Sequence, residues 1–159
     1  MRVVAFAPSL SAISQDAGGV SVEGFPLTSF YVDTFPAQVT IPMVVAVCSL
    51  GGSDYEPTKY IIATSPENER VGALEFSWSW PDNPPVPLKY RVFAQYLPMR
   101  VESAGIYTIG LYDSLEGTET EHLFPLPVFT SNPLLAPQAF RSLAVGRGNP
   151  DLRDRTAGH

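Results

Sequence analysis

With 159 residues, 45% apolar and 16% charged, the chain suits one domain with a substantial core and is too apolar to stay disordered as a whole. Its formal net charge of −6 argues against nucleic acid as the main partner, because binding phosphates takes a basic surface. A single cysteine, Cys48, excludes an intrachain disulfide and is compatible with a reducing compartment.

Sixteen prolines and twelve glycines fall mainly between apolar runs, the pattern of short strands and frequent turns. Residues 3–7 form a first strand, ended by Pro8. This run is shorter than the roughly 7–15 residues of a secretory core. No stretch approaches the roughly 20 apolar residues of a membrane span. The expected location is therefore cytoplasmic or within a virion, without a signal peptide. Residues 10–14 and 20–23 flank Asp16-Ala17-Gly18-Gly19, a hairpin turn in which glycine supplies positive φ. A short strand follows at residues 28–32. Residues 38–50 are an apolar run interrupted at Pro42. A run without alternation is buried on both faces, so this strand is expected to be central. Cys48 lies within it and reads as a small buried hydrophobe.

Residues 59–64 form the next strand, and Pro66-Glu67-Asn68-Glu69 a polar turn. In the strand expected over residues 73–80, Leu74, Phe76, Trp78 and Trp80 alternate with Glu or Ser. Strand side chains point alternately to the two faces, so these four face one way and require a second layer over them. A stiff proline loop follows at residues 81–87. Strands are expected at residues 90–97 and 106–113, with Tyr107, Ile109 and Leu111 on one face of the latter. Residues 114–117 make a hairpin tip, and residues 122–129 close the body. Pro125 and Pro127 are two apart, so their missing N–H groups fall on the same edge, as in an edge strand.

The body, residues 1–130, carries 6 Lys or Arg against 14 Asp or Glu, while residues 131–159 carry 4 Arg against 2 Asp. This C-terminal extension reads as an arm with one short helix near residues 137–145. Pro137 suits the first helical position and Gly146 the residue after the end. Phe140 and Leu143 share one face of such a helix, and Arg147, Arg153 and Arg155 follow it. A helix this short needs a surface to dock on.

Chemistry-bearing constellations are sparse. His122 stands among Glu116, Glu119, Glu121 and Asp113; a His among carboxylates can hold a metal or act as a base, but the spacing matches no metal motif and reads as a solvated acidic turn. No Gly-x-Ser-x-Gly and no phosphate-cradling glycine loop is present. Trp78, Trp80, Tyr90 and Tyr96 are candidates for an aromatic sugar platform. Trp78 belongs to the face claimed by the core, where burial of a large side chain is worth about 1.5–3 kcal/mol. Trp80, beside the proline loop, remains the candidate ligand-binding ring.

Met1-Arg2-Val3-Val4-Ala5-Phe6, the glycine hairpin from Asp16 to Phe25, and the Gly-x-Tyr strand from Ala104 to Asp113 resemble small uncharacterised bacterial and phage-borne immunoglobulin-like β-sandwich proteins over residues 1–130. The resemblance implies the fold and carries no catalytic residue. The expected architecture is an all-β immunoglobulin-like antiparallel β-sandwich of about nine strands with a C-terminal arm. The leading expectation for function is a non-enzymatic interaction module without cofactor or metal. It would dock on a larger assembly, such as a phage particle, or on its own copy, through Phe140, Leu143, Arg147, Arg153 and Arg155. The alternative is a carbohydrate-binding module using exposed aromatics near Trp80.

Overall fold

The computed structural model describes residues 1–51, 56–81 and 86–131. Among these, ten strands form and no helix, one strand more than expected. They are β1 (Arg2–Pro8), β2 (Ser11–Ser14), β3 (Val20–Glu23), β4 (Phe30–Val32), β5 (Ala37–Leu50), β6 (Thr58–Thr64), β7 (Arg70–Ser77), β8 (Leu88–Val101), β9 (Gly105–Tyr112) and β10 (Leu123–Thr130). Eight make one mixed sheet in the order β1-β5-β8-β7-β6-β9-β10-β4, and β2 pairs with β3 in a separate hairpin. The C-terminal arm and its short helix near residues 137–145 lie outside the described residues.

Two strands depart from expectation. β4 runs parallel to β10, with Phe30 against Val128 and Val32 against Thr130, so the sheet is not wholly antiparallel. β7 stops at Ser77 rather than at Trp80. Its partner β6 begins at Thr58 opposite Ser77. The preceding Pro57 has no N–H to continue the ladder, and its carbonyl accepts instead from Trp78 N at 3.3 Å.

The longest pairing joins β5 to β8, from Ala37 opposite Val101 to Leu50 opposite Leu88. Ile41, Met43, Val45 and Val47 alternate along β5 and are all fully buried. They belong to one core with Leu97, Met99 and Val101 of β8, Ile61 and Ala63 of β6, Tyr107, Ile109 and Leu111 of β9, and Leu126 and Val128 of β10. Val44 is also buried, so the middle of β5 is covered on both faces. β5 is flanked by β1 and β8, in the interior position its unbroken apolar run implies.

The sheet curls, bringing β1 at one end of the order against β10 near the other. The turn of the curl is at the β7–β8 junction, where the strands share a single pair, Gly72 opposite Met99. A Cβ on Gly72 would lie 2.4 Å from the Pro98 carbonyl oxygen and 2.8 Å from Met99 Cβ. Only glycine permits so close an approach of backbone. Beyond it the strands diverge, and aromatic rings fill the wedge: Phe76, Trp78, Trp80 and Phe93, with neighbouring centroids 4.8–6.0 Å apart. The alternating residues Leu74, Phe76, Trp78 and Trp80 all pack on the core, as their spacing dictates.

The prolines of β10 mark where its pairing changes. Pro125 and Pro127 sit opposite Thr108 and Ile106 of β9, and pairing with β4 begins only at Val128. The N-terminal half of β10 is thus an open edge, and the strand becomes interior once its N–H groups return. The chain then passes Ser131, whose N–H donates to the Val32 carbonyl at 2.8 Å.

Candidate functional site

Three surface features could carry function. The first surrounds His122. A hollow of about 550 Å³ opens between the start of β1 and the connection from β9 to β10. Arg2, Lys59, Asp113, Glu119, Glu121 and His122 are among the residues lining it. Lys59 is ion-paired with Asp113. The Thr120 hydroxyl donates to the Leu111 carbonyl at 2.5 Å and accepts from His122 N at 3.1 Å, so it closes the turn. Among the described residues, no three His, Cys, Asp or Glu side chains converge as metal ligands do. The geometry is that of a charged, hydrated turn. At the far edge of this acidic region, the Tyr60 phenol is raised above its ordinary value by desolvation of its half-buried ring, and then by Glu75 and Glu116. Glu75 is its cross-strand partner.

The second feature lies at the β2–β3 hairpin. The turn forms where Gly18 and Gly19 adopt φ of 92° and 86°, conformations costly for other residues. The hairpin rests on the outer surface of β5 and β8, with Ala12 buried. Tyr96 Oη donates to the Ala12 carbonyl at 2.6 Å, which pins it there. Between the hairpin turn and β8 a second hollow of about 540 Å³ remains, lined by Ser14, Gln15, Asp16, Gly18 and Gly19 on one side and Tyr90 to Phe93 on the other.

The third feature is an apolar strip on the outer face of β10. Leu126 and Val128 face the core, so Leu123, Pro125, Pro127 and Phe129 face out. Ile106 stands opposite Pro127, and Tyr31 opposite Phe129, their rings 5.6 Å apart. Tyr31 is 60% exposed and Ile106 59%. The strip ends where Ser131 leads out of the sheet.

No family model, no curated protein and no solved structure matches this chain.

Of the residues singled out from sequence, Phe140, Leu143, Arg147, Arg153 and Arg155 lie outside the described residues. Trp80 is corrected: it is 3% exposed, stands edge-on to Trp78, and carries the Lys89 ammonium 5.5 Å from its ring centre. Lys89 also donates to the Trp80 carbonyl at 2.7 Å. A ring so covered has no face to offer a sugar; the wedge between β7 and β8 claims it. Cys48 is half-buried, on the outer face between Arg2 and Tyr90. The apolar strip and the polar partners of the hairpin hollow were not foreseen. A signal for the strip exists in Leu123-Phe124-Pro125-Leu126-Pro127-Val128-Phe129, which is apolar at every position and so cannot have a polar outer face.

Proposed function

We propose that this chain is a non-enzymatic interaction module, an immunoglobulin-like β-sandwich that associates with a copy of itself through the outer face of β10 and the segment beyond Ser131. The observation that carries this reading is that β10 is apolar on both faces while one face is open to solvent. Soluble antiparallel strands ordinarily place polar residues outward, and contiguous apolar surface marks a contact site. The neighbouring segment supplies Phe140, Leu143 and four arginines. Its positive charge complements the acidic body of the same chain, so a second copy is the natural occupant. A subunit added to the outside of a larger particle would use the same parts.

Two details support the sandwich within the curled sheet. The strands on either side of the Gly72–Met99 pair contribute side chains to one common core. Tyr107, near the start of β9, is buried and returns its hydroxyl to the backbone at Ser103. A tyrosine so placed is a hallmark of immunoglobulin-like sandwiches.

Sedimentation velocity of the full chain tests the function. Self-association is expected, and Ile106→Ser combined with Tyr31→Ser should reduce it by at least about tenfold, roughly the 1.4 kcal/mol that losing two exposed apolar contacts would supply. A monomeric full chain at high concentration would refute it.

A further inference from the structure

The β2–β3 hairpin is held to the body by little more than its base. We propose that residues 10–24 form a flap that swings open while the eight-stranded sheet stays folded, uncovering an apolar row on the outer face of β1, β5 and β8. This inference concerns a different face from the β10 strip and does not depend on self-association there.

The attachment is uneven. At the base, the Ser9 N–H donates to the Pro42 carbonyl at 2.8 Å and the Leu27 N–H to the Pro8 carbonyl at 2.7 Å. Between these anchors the chain bonds mainly to itself. The Leu10 N–H donates to the carbonyls of Glu23 and Gly24, β2 pairs with β3 in a sheet of their own, and the Ser11 and Gln15 side chains reach Glu23 and Ser21. A hairpin of two strands is marginal by itself in water, so this one depends on what it touches. Of the eight residues in its strands, Ala12 alone is buried. Tyr96 Oη donates to the Ala12 carbonyl and ties the middle of β2 to the sheet. At the tip, the hollow of about 540 Å³ separates the turn from β8. Leu10 and Phe25, next to the anchors, are exposed, so a swing about the base drags no large side chain out of the core.

Beneath the hairpin lies an apolar row. Val44 of β5 pairs with Ala7 of β1 and Ala94 of β8, and its side chain points away from the face of Met43 and Val45. Val44 and Ala7 are each 6% exposed, yet with Ala12 they stand apart from the main core cluster. Their cover is β2, which lies against β5 and β8. Further along the same face come half-buried Ala46 and Cys48 and exposed Val92 and Tyr90. Opening the flap therefore lengthens an apolar surface, and closing it limits what the folded chain offers for contact. A few small side chains and one hydrogen bond hold far less than the core of β5, so the flap opens much more often than the sheet unfolds.

Hydrogen exchange of the full chain, read by mass spectrometry, compares the hairpin with β5. Residues 11–23 should exchange at least about a hundredfold faster than residues 41–47, yet more slowly than an unstructured peptide. A thiol probe reports the uncovered row. In a Cys48→Ser background, Val44→Cys and Val45→Cys place thiols on adjacent residues with opposite faces. Position 44 should react with Ellman's reagent at least about tenfold faster than position 45. Its rate should change little up to about 1 M urea, whereas the rate at position 45 should climb with the slope of global unfolding. Tyr96→Phe should speed reaction at position 44 by about fivefold. The proposal is overturned if the hairpin and β5 exchange alike, if the hairpin exchanges as an unstructured peptide does, if labelling at position 44 is as steep in urea as at position 45, or if Tyr96→Phe leaves it unchanged.

Discussion

Tyr107 Oη donates to the Ser103 carbonyl at 3.0 Å, and the same oxygen accepts from the N–H of Glu102 at 3.1 Å. The ring is buried in the core, so this one side chain ties the turn between β8 and β9 to the interior. Removing only the hydroxyl, Tyr107→Phe, leaves part-buried backbone groups of the β8–β9 turn without their partner. The expected cost is about 1–2 kcal/mol, read as a lower urea midpoint with unchanged slope.

Gly72 is the residue through which β7 pairs with β8. A methyl at this position collides with the Pro98 carbonyl and with Met99 Cβ, and backbone cannot swing aside. Gly72→Ala should destabilise by about 2 kcal/mol or more, as overpacking does. Gly110→Ala is the comparison. Its Cβ meets the outer part of the Tyr112 ring, which a rotation can move, so the loss should be smaller. Thermal denaturation of both variants checks the order.

The tryptophans act as packing. Trp80 is buried and Trp78 half-buried within the aromatic wedge. Emission should be blue-shifted and poorly quenched by acrylamide, and sugars should leave it unchanged. Trp80→Ala should cost about 3–5 kcal/mol, in line with other large core truncations.

Alkaline pH offers a separate check. The Tyr60 phenol sits above its ordinary value, chiefly through desolvation and then through Glu75. The folded chain therefore holds this proton more tightly than the unfolded chain, whose phenol ionises near pH 10. The contribution to stability is intact below about pH 10 and is lost as pH rises through the folded value. Carbon NMR of the tyrosine rings should show Tyr60 titrating late, and Glu75→Gln should bring it earlier.

Much of the fold was legible because periodicity reports burial directly. The alternation from Leu74 to Trp80 and the unbroken run of β5 each say which faces are covered, and both packed as written. Pro125 and Pro127 told which edge lacks donors, but not that β4 would join one residue later, since pairing across the whole chain leaves no local mark. β4 is three residues long and runs parallel, so no turn chemistry announces it. The hollow between the hairpin turn and β8 was less legible still. Asp16 and Tyr90 are far apart in sequence, and only the hairpin folding back along β8 brings them to one hollow. Trp80 misled because a proline loop at a strand end suggests exposure, whereas the β7–β8 wedge needed a large ring.

The most direct test of the account is sedimentation velocity on the full chain beside residues 1–131, the latter checked for folding by circular dichroism. The account predicts that the full chain self-associates, that the shortened chain stays folded and monomeric, and that Ile106→Ser with Tyr31→Ser weakens association of the full chain. A full chain that sediments as a monomer at high concentration, or a shortened chain that assembles equally well, would contradict it.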